Sequence, residues 1–272
     1  KRAMTRDFLD ELIRRFYAYV DGFRRADGTL PDMLQLKLDH TVNVVKNARL
    51  IVSGEAWPAG ARLEGEACAW LHDVGRFPQL RDYNTFQDAK SIDHAARSAE
   101  VVEAGGWLDE LEAGERKRVL QAVALHNKKE VPSSLDAAAA DICHLVRDAD
   151  KLDIFRVLEV AATDGSLSRN PEIAWDLQVK GAPTLEVVEA VSKGLPVSYT
   201  WIKTLSDFVL IQVGWLHGGL RYRTAMRLAH ERRALEFREA YLRTLSDAPG
   251  VAICCEAARA FMAKQLDGQA TR

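Results

Sequence analysis

Apolar residues recur every three or four positions along most of this chain, the spacing typical of amphipathic helices. The first such segment places an apolar residue at every fourth position: Phe8, Leu12, Phe16 and Val20. Similar patterns predict further helices over residues 30–52, 61–73, 91–105, 108–127, 135–163, 199–216, 220–243 and 251–266. Residues 76–90 are predicted to be irregular, and 171–196 show only short helical pieces.

No run of alternating apolar and polar residues is long enough to predict a strand. We therefore expect an all-α fold, a compact multi-helix bundle with a helical C-terminal extension. The whole chain, residues 1–272, is predicted to be one domain with a core over residues 30–163 and the extension over residues 164–272.

Composition excludes some classes of function without choosing one. With 37 Lys and Arg against 39 Asp and Glu, the net charge of −2 offers no electrostatic case for binding nucleic acid. No apolar stretch approaches the roughly 18 residues of a membrane span, and none resembles a signal peptide at the start. The four cysteines lack zinc-type spacing, so we expect reduced thiols in the cytoplasm.

The most informative stretch is residues 69–78, where His72 and Asp73 end an apolar helix. Gly75 is predicted to terminate that helix in a left-handed conformation, and Pro78 to keep it from resuming. On a last turn, two neighbouring side chains can converge on one point. A histidine that merely bonds a carboxylate at a helix end would also explain an isolated pair of this kind.

Further titratable side chains lie on inward faces of the predicted helices: His40, His94, His126 and Asp150. Ser91 is the predicted N-cap of the helix that carries His94. Asp73 and Asp150 occupy apolar faces with no obvious Arg or Lys, and an unpaired buried carboxylate costs several kcal/mol. A divalent cation would satisfy both carboxylates and the inward histidines together. The pattern therefore predicts a metal site.

The order H…HD…H…H…D resembles the HD superfamily of metal-dependent phosphohydrolases. The segments LHDVGRFPQL, SIDHA, ALHN and RDADKLDIF carry the resemblance, which covers residues 34–158. It implies a bundle of about five core helices, so the predicted 30–163 core would be an HD core. It also implies a first metal held by four residues, His40, His72, Asp73 and Asp150. A second would be held by Asp73 as a bridge together with His94 and His126, and Asp148 is the alternative final ligand.

The resemblance implies hydrolysis of a phosphomonoester or phosphodiester of a nucleotide or small metabolite. Oxygen and nitrogen ligands do not distinguish Mn, Fe, Mg, Ni, Co or Zn, nor one bound ion from two. Asp73 and Arg76 are the expected catalytic residues, and Arg76, Lys128 and Lys151 are expected to bind the substrate phosphate. Alternatively, Arg76 forms a surface salt bridge and Lys128 is a solvated cation at a helix end.

Some other interpretations remain open. Some members of the superfamily are di-iron oxygenases with the same ligand pattern, and a non-catalytic nucleotide-binding module is also compatible. The residues after His126 differ from those of cyclic-di-GMP phosphodiesterases, so that substrate is disfavoured. The arginine-rich segment 221–243 is interpreted as a solvated helix with ion pairs. The aromatic residues of 201–222 are assigned to the core or to an interface of a homo-oligomer.

Overall fold

A computed structural model describes residues 1–177 and 180–268 of the chain. Residues 178–179 and 269–272, which belong to the predicted C-terminal extension, lie outside the described part. The described residues form helices and no strand, with one isolated bridge between Arg2 and Leu111. The prediction of an all-α fold is therefore confirmed. None of these helices has the length and apolar character needed to cross a bilayer.

The chain divides into two compact units, residues 1–153 and 154–272, and the division falls within one long helix, α7 (Ala137–Asp164). The helices that precede α7 are α1 (Arg6–Asp21), α2 (Asp32–Gly54), α3 (Ala59–Leu71), α4 (Arg76–Tyr83), α5 (His94–Ala104) and α6 (Ala113–Leu125). Helix α3 packs against α1, α2, α5 and α6. Because neighbours surround it, all of residues 64–71 are buried, and its C-terminal end lies inside the first unit.

The second unit contains α8 (Ser166–Arg169), α9 (Leu185–Ser192), α10 (Leu205–Gly214), α11 (Arg223–Glu231), α12 (Ala234–Leu245) and α13 (Pro249–Asp267). Helix α13 packs against α9, α10, α11 and α12. The single helix predicted over 220–243 was wrong, because Arg233 adopts a left-handed conformation (φ 57°) between α11 and α12. The helix predicted from residue 199 begins at Leu205, where Thr204 and Asp207 form a capping box.

The turn after α3 differs from its prediction in two ways. Gly75 is right-handed (φ −69°, ψ −17°), and α4 begins directly after it, where an irregular segment was expected. Pro78 is compatible with α4 because it lies in the first turn, where a backbone N–H needs no helical partner. The reason for a glycine is space: a Cβ on Gly75 would lie 2.6 Å from both the His94 carbonyl oxygen and the Ser98 nitrogen.

The N-cap of helix α5 lies two residues later than predicted. Its N-cap is Asp93, not Ser91, and the Asp93 carboxylate accepts hydrogen bonds from the backbone N–H groups of Ala95 and Ala96. With this cap, His94 is the first residue of α5, and its backbone packs against Gly75. The Gly75 N–H donates to Ser98 Oγ at 2.9 Å, so the two segments are joined at the closest approach.

Candidate metal centre

The structure brings six of the predicted site residues together inside the first unit. They come from the middle of α2, the turn after α3, the start of α5, the end of α6 and the middle of α7: His40, His72, Asp73, His94, His126 and Asp150. Five of them are buried, and the side chain of Asp150 is about one-fifth exposed (21%). Residues far apart in sequence therefore share one small volume with limited access to solvent.

Two of the histidines follow the last residue of a helix. His72 Nδ1 lies 2.7 Å from the carbonyl oxygen of Ala69, and His126 Nδ1 lies 2.8 Å from that of Val123. Because a carbonyl only accepts and the last carbonyls of a helix have no helical partner, Nδ1 of each ring is the donor. In the neutral form, each ring then has a lone pair on Nε2.

The other two histidines are held by carboxylates. His40 Nδ1 lies 2.7 Å from Oδ2 of Asp153, and His94 Nδ1 lies 2.6 Å from Oδ2 of Asp88. A carboxylate on Nδ1 is the arrangement that commonly orients histidine ligands of metals. Sequence reasoning missed Asp153 and Asp88. Asp153 could have been found from the helix period, since it lies three residues after Asp150 and on the same face.

The four Nε2 atoms point to the centre of the cluster, where protein atoms satisfy them poorly. His72 Nε2 is buried and forms no hydrogen bond among the described residues, whereas His40 Nε2 lies 2.9 Å from Asp150 Oδ1. His94 Nε2 and His126 Nε2 lie 3.2 Å apart. Burial, with the positive charge of Arg76, lowers the pKa of His94, and burial lowers that of His126 to about 3.

Both rings donate from Nδ1 to other partners, and the lowered pKa of each favours its neutral form. In that form, the two Nε2 lone pairs face each other without a proton between them. A cation beside the two nitrogen atoms would remove this repulsion. The donor set of imidazole nitrogens and carboxylate oxygens suits first-row divalent metals, so the residues present fit a divalent cation.

Asp73 lies between the two histidine pairs. Its Oδ2 is 3.6 Å from His72 Nε2 and 3.7 Å from His40 Nε2. Its Oδ1 is 3.5 Å from His94 Nε2 and 3.8 Å from His126 Nε2. Each oxygen of one carboxylate thus faces a different pair of imidazoles, which is the geometry that a bridging carboxylate requires.

Two groups have ligand atoms close enough to share an ion: His40 with His72 and Asp150, and His72 with Asp73 and His126. Within each group, the atoms lie within 4.8 Å of one another. His94 lies beside the second group through its contact with His126. Asp148, the alternative final ligand, is buried but belongs to neither group. The ligand roles themselves stay predictions.

Charges around the centre keep its carboxylates ionised. Burial opposes ionisation of Asp73, but the charges of Lys37, His72 and Arg76 outweigh it and hold its pKa well below the usual range. Burial alone would lower the pKa of His40; hydrogen bonds to Asp150 and Asp153 raise it to about 9. Without a metal, His40 is therefore a protonated partner of these carboxylates.

The expectation that no Lys or Arg accompanies the buried carboxylates was wrong. Lys37 Nζ lies 3.2 Å from Oδ2 of Asp73, and Arg76 Nε lies 3.6 Å from Oδ1. The sequence contained the signal, because Lys37 precedes His40 by three residues and shares its helix face. The case for a metal therefore depends on the convergent Nε2 atoms rather than on unpaired carboxylates.

The predicted phosphate-binding residues differ in their surroundings. Arg76 is largely buried, and its Nη1 donates to Gln79 Oε1, to the Phe86 carbonyl oxygen and to Asp88 Oδ1. It is thus held beside the centre and is not on the surface.

Lys128 and Lys151, the two lysines predicted to bind phosphate, have surroundings that differ from those of Arg76. Lys128 is 41% exposed and forms an ion pair with Asp93, which anchors it to the cap of α5. Burial and the nearby charge of Arg147 lower the pKa of Lys151 to about 8. The contacts of Lys128 and Lys151 with a substrate stay predictions.

Comparison with known families matches residues 38–155 to the HD domain. The matched segment includes all six central residues, together with Arg76 and both supporting carboxylates, Asp88 and Asp153. HD domains are mostly metal-dependent phosphohydrolases. Comparisons with curated proteins and with solved structures gave no significant match.

Proposed function

Because residues 38–155 belong to the HD-domain family, we propose that the protein is a metal-dependent phosphohydrolase that cleaves a phosphate ester of a nucleotide or small metabolite. The observation that carries the proposal is the convergence of four imidazole Nε2 atoms around the Asp73 carboxylate. A histidine cluster built only for stability would pair these nitrogens with protein partners. Here, His72 Nε2 is buried without one in the described part of the chain.

His40, His72, Asp73 and Asp150 would hold a first divalent cation, and Asp73, His94 and His126 a second. Such cations lower the pKa of water and screen phosphate charge when they are bound. Asp73, which faces both histidine pairs, would orient the water that attacks phosphorus. Asp153 and Asp88 would fix the rings of His40 and His94 through Nδ1, so that Nε2 remains available.

Arg76 would bind the phosphate of the substrate. Its Nε is buried and forms no hydrogen bond within the described ranges, while Nη1 is fixed by three acceptors. A guanidinium that is held at Nη1 and keeps a donor N–H available at Nε is oriented for an incoming anion. The planar donor fork matches the spacing of two phosphate oxygens.

The proposal is tested by removing metal with a chelator and returning Mn²⁺, Mg²⁺, Co²⁺, Ni²⁺, Fe²⁺ or Zn²⁺ separately. Bound metal is measured by mass spectrometry, and hydrolysis with p-nitrophenyl phosphate and bis(p-nitrophenyl) phosphate. We expect hydrolysis to disappear with the metal and to return with at least one ion. Stoichiometric metal without hydrolysis of either compound, or of a panel of nucleotides, would contradict it. Oxygen uptake by the iron-loaded protein would instead indicate an oxygenase.

A further inference from the structure

Lys37 lies against the centre but has no place among the predicted ligands. It lies one turn before His40 on α2, its side chain is only 14% exposed, and Nζ donates to Oδ2 of Asp73 at 3.2 Å. The same Nζ lies 5.2 Å from the centroid of the Phe86 ring, and Arg76 Cζ lies 5.6 Å from that centroid. Two cations therefore flank Asp73, one at each oxygen, and both lie near one aromatic ring.

The charges at the centre change when metal binds. Four carboxylates each place an oxygen within 3.5 Å of a histidine nitrogen of the centre: Asp73, Asp88, Asp150 and Asp153. Two divalent cations, with neutral histidines, would be balanced by these four negative charges. The positive charges of Lys37 and Arg76 would then have no counterpart within this group. Because a buried unpaired charge is costly, the loaded centre favours an anion with two negative charges.

We propose that Lys37 is a substrate-binding residue that leaves Asp73 and contacts a phosphate oxygen when the metal centre is loaded, and that the protein prefers phosphomonoesters to diesters. The inference depends on the proposed function for the identity of the reaction. The flexible stem and rotatable ammonium of a lysine permit this change of partner. A monoester carries close to two negative charges near neutral pH, whereas a diester carries one.

The binding test uses inorganic phosphate and the Mn²⁺-loaded full chain. Titration calorimetry compares wild type with Lys37→Met, and manganese content is measured on the same samples. Losing one charged hydrogen bond should weaken phosphate binding at least roughly tenfold, with manganese content unchanged. Lys46→Met is the matched control, because Lys46 is an exposed lysine on the same helix. We expect it to bind phosphate as wild type does.

Other outcomes of the binding test would overturn the inference. Unchanged phosphate affinity in Lys37→Met would do so. Loss of manganese together with phosphate would also do so, because Lys37 would then serve only to position Asp73. If Lys37→Met does not fold, Lys37→Gln and Lys37→Arg replace it, and Lys37→Arg should retain more phosphate binding than Lys37→Gln. Absence of phosphate binding by the loaded wild type would also overturn it.

The substrate test compares kcat/KM for the monoester and the diester given above. We expect Lys37→Met to lose more activity on the monoester, which reduces the preference of the wild type. A wild-type preference for the diester would overturn the monoester inference. If Lys37 binds phosphate but the loaded protein hydrolyses nothing, the role of Lys37 in binding stands and the proposed hydrolase function fails.

Discussion

Each unit of the chain contains buried charge, but the two centres treat their polar atoms differently. In the second unit, Arg238 is fully buried, and four of its N–H groups reach protein acceptors. These acceptors are Gln212 Oε1, Glu159 Oε1 and the carbonyl oxygens of Ala234 and Phe155, at 2.8–2.9 Å. In the first unit, His72 Nε2 is buried and has no such partner among the residues that the structure describes.

This difference separates a structural centre from a binding centre. Burying a charge is tolerable when protein atoms satisfy its hydrogen bonds, as they do for Arg238. Several imidazole nitrogens that converge on one carboxylate, with a buried one left unsatisfied, suit a partner from outside the chain. Substitution of Arg238 should therefore lower the stability of the protein, whereas substitution of the residues around Asp73 should remove bound metal.

The largest effect is expected for His72→Ala and Asp73→Ala, separately and together. His72 belongs to both candidate metal groups, and Asp73 lies between the two histidine pairs. Metal content and hydrolysis should therefore fall below detection in each variant. The melting temperature of metal-free His72→Ala should also fall, because the buried ring leaves a cavity and its Nδ1 no longer donates to the Ala69 carbonyl oxygen, so metal content is measured on the folded fraction. Wild-type metal content or activity in the double variant would refute the site.

Arg238→Met should have the second largest effect, and on stability alone. It removes the ion-pair partner of Glu159 and leaves the other buried acceptors of Arg238 without a donor. The unfolding free energy should therefore fall by about 3–5 kcal/mol. Urea denaturation measures the change, and the folded fraction should keep its metal. Arg227→Met, at an exposed ion pair with Glu231, should cost at most about 1 kcal/mol. Equal losses for both variants would show that the buried network contributes nothing special.

A smaller effect is expected for Asp153→Asn, which keeps the shape of the side chain but weakens its hold on His40 Nδ1. Metal affinity should fall roughly 10–100-fold. Competition with a fluorescent chelator measures the affinity. Asp136→Asn, which alters a carboxylate that accepts the backbone N–H of Ala139 and belongs to neither candidate metal group, is the control and should leave affinity unchanged. If affinity in Asp153→Asn equals that of wild type, the ring orientation does not depend on Asp153.

The smallest effect concerns pH and the metal-free protein. The pKa of His40 is raised from 6.5 to about 9 in the folded state, so its contribution to stability is fully present below pH 6.5. It is lost as pH rises toward 9. We expect the melting temperature of the chelator-treated protein to fall by a few degrees over this range, as measured by circular dichroism.

Loading the protein with metal should remove that decline, because ligation leaves His40 neutral. His40→Asn should also lack it when metal-free. A metal-free wild type whose melting temperature is flat between pH 6.5 and 9 would show that His40 is not held by its two carboxylates.

Periodicity predicted the helices and hence the fold class, because a helix that buries one face must repeat its apolar residues. The same reasoning placed His40, His126 and Asp150 on inward faces, and the structure puts all three at one centre. It did not supply the partner of each ring: Asp153 shares a helix face with Asp150 but was not recognised, and Asp88 reaches His94 from the segment between α4 and α5.

Errors arose where tertiary contacts override local rules. Arg238 was interpreted as part of a solvated helix, because interleaved Glu residues suggested surface pairs, yet its side chain is completely buried. Proline at residue 78 suggested a break, although the first turn of a helix accepts it. Lys37 was overlooked because a lysine is ordinarily assigned to solvent. In each case, the neighbouring element decides the outcome.

Gly75 has a consequence that reaches beyond its own turn. Because Gly75 has no side chain, the segment after His72 packs closely against α5. A Cβ at this position would lie only 2.6 Å from backbone atoms of α5. An alanine would act as a wedge and push His94 outward from Asp73. The pair formed by His40 and His72 does not depend on α5 and would stay in register. A single methyl group at this position should thus weaken the second of the two proposed metal positions more than the first.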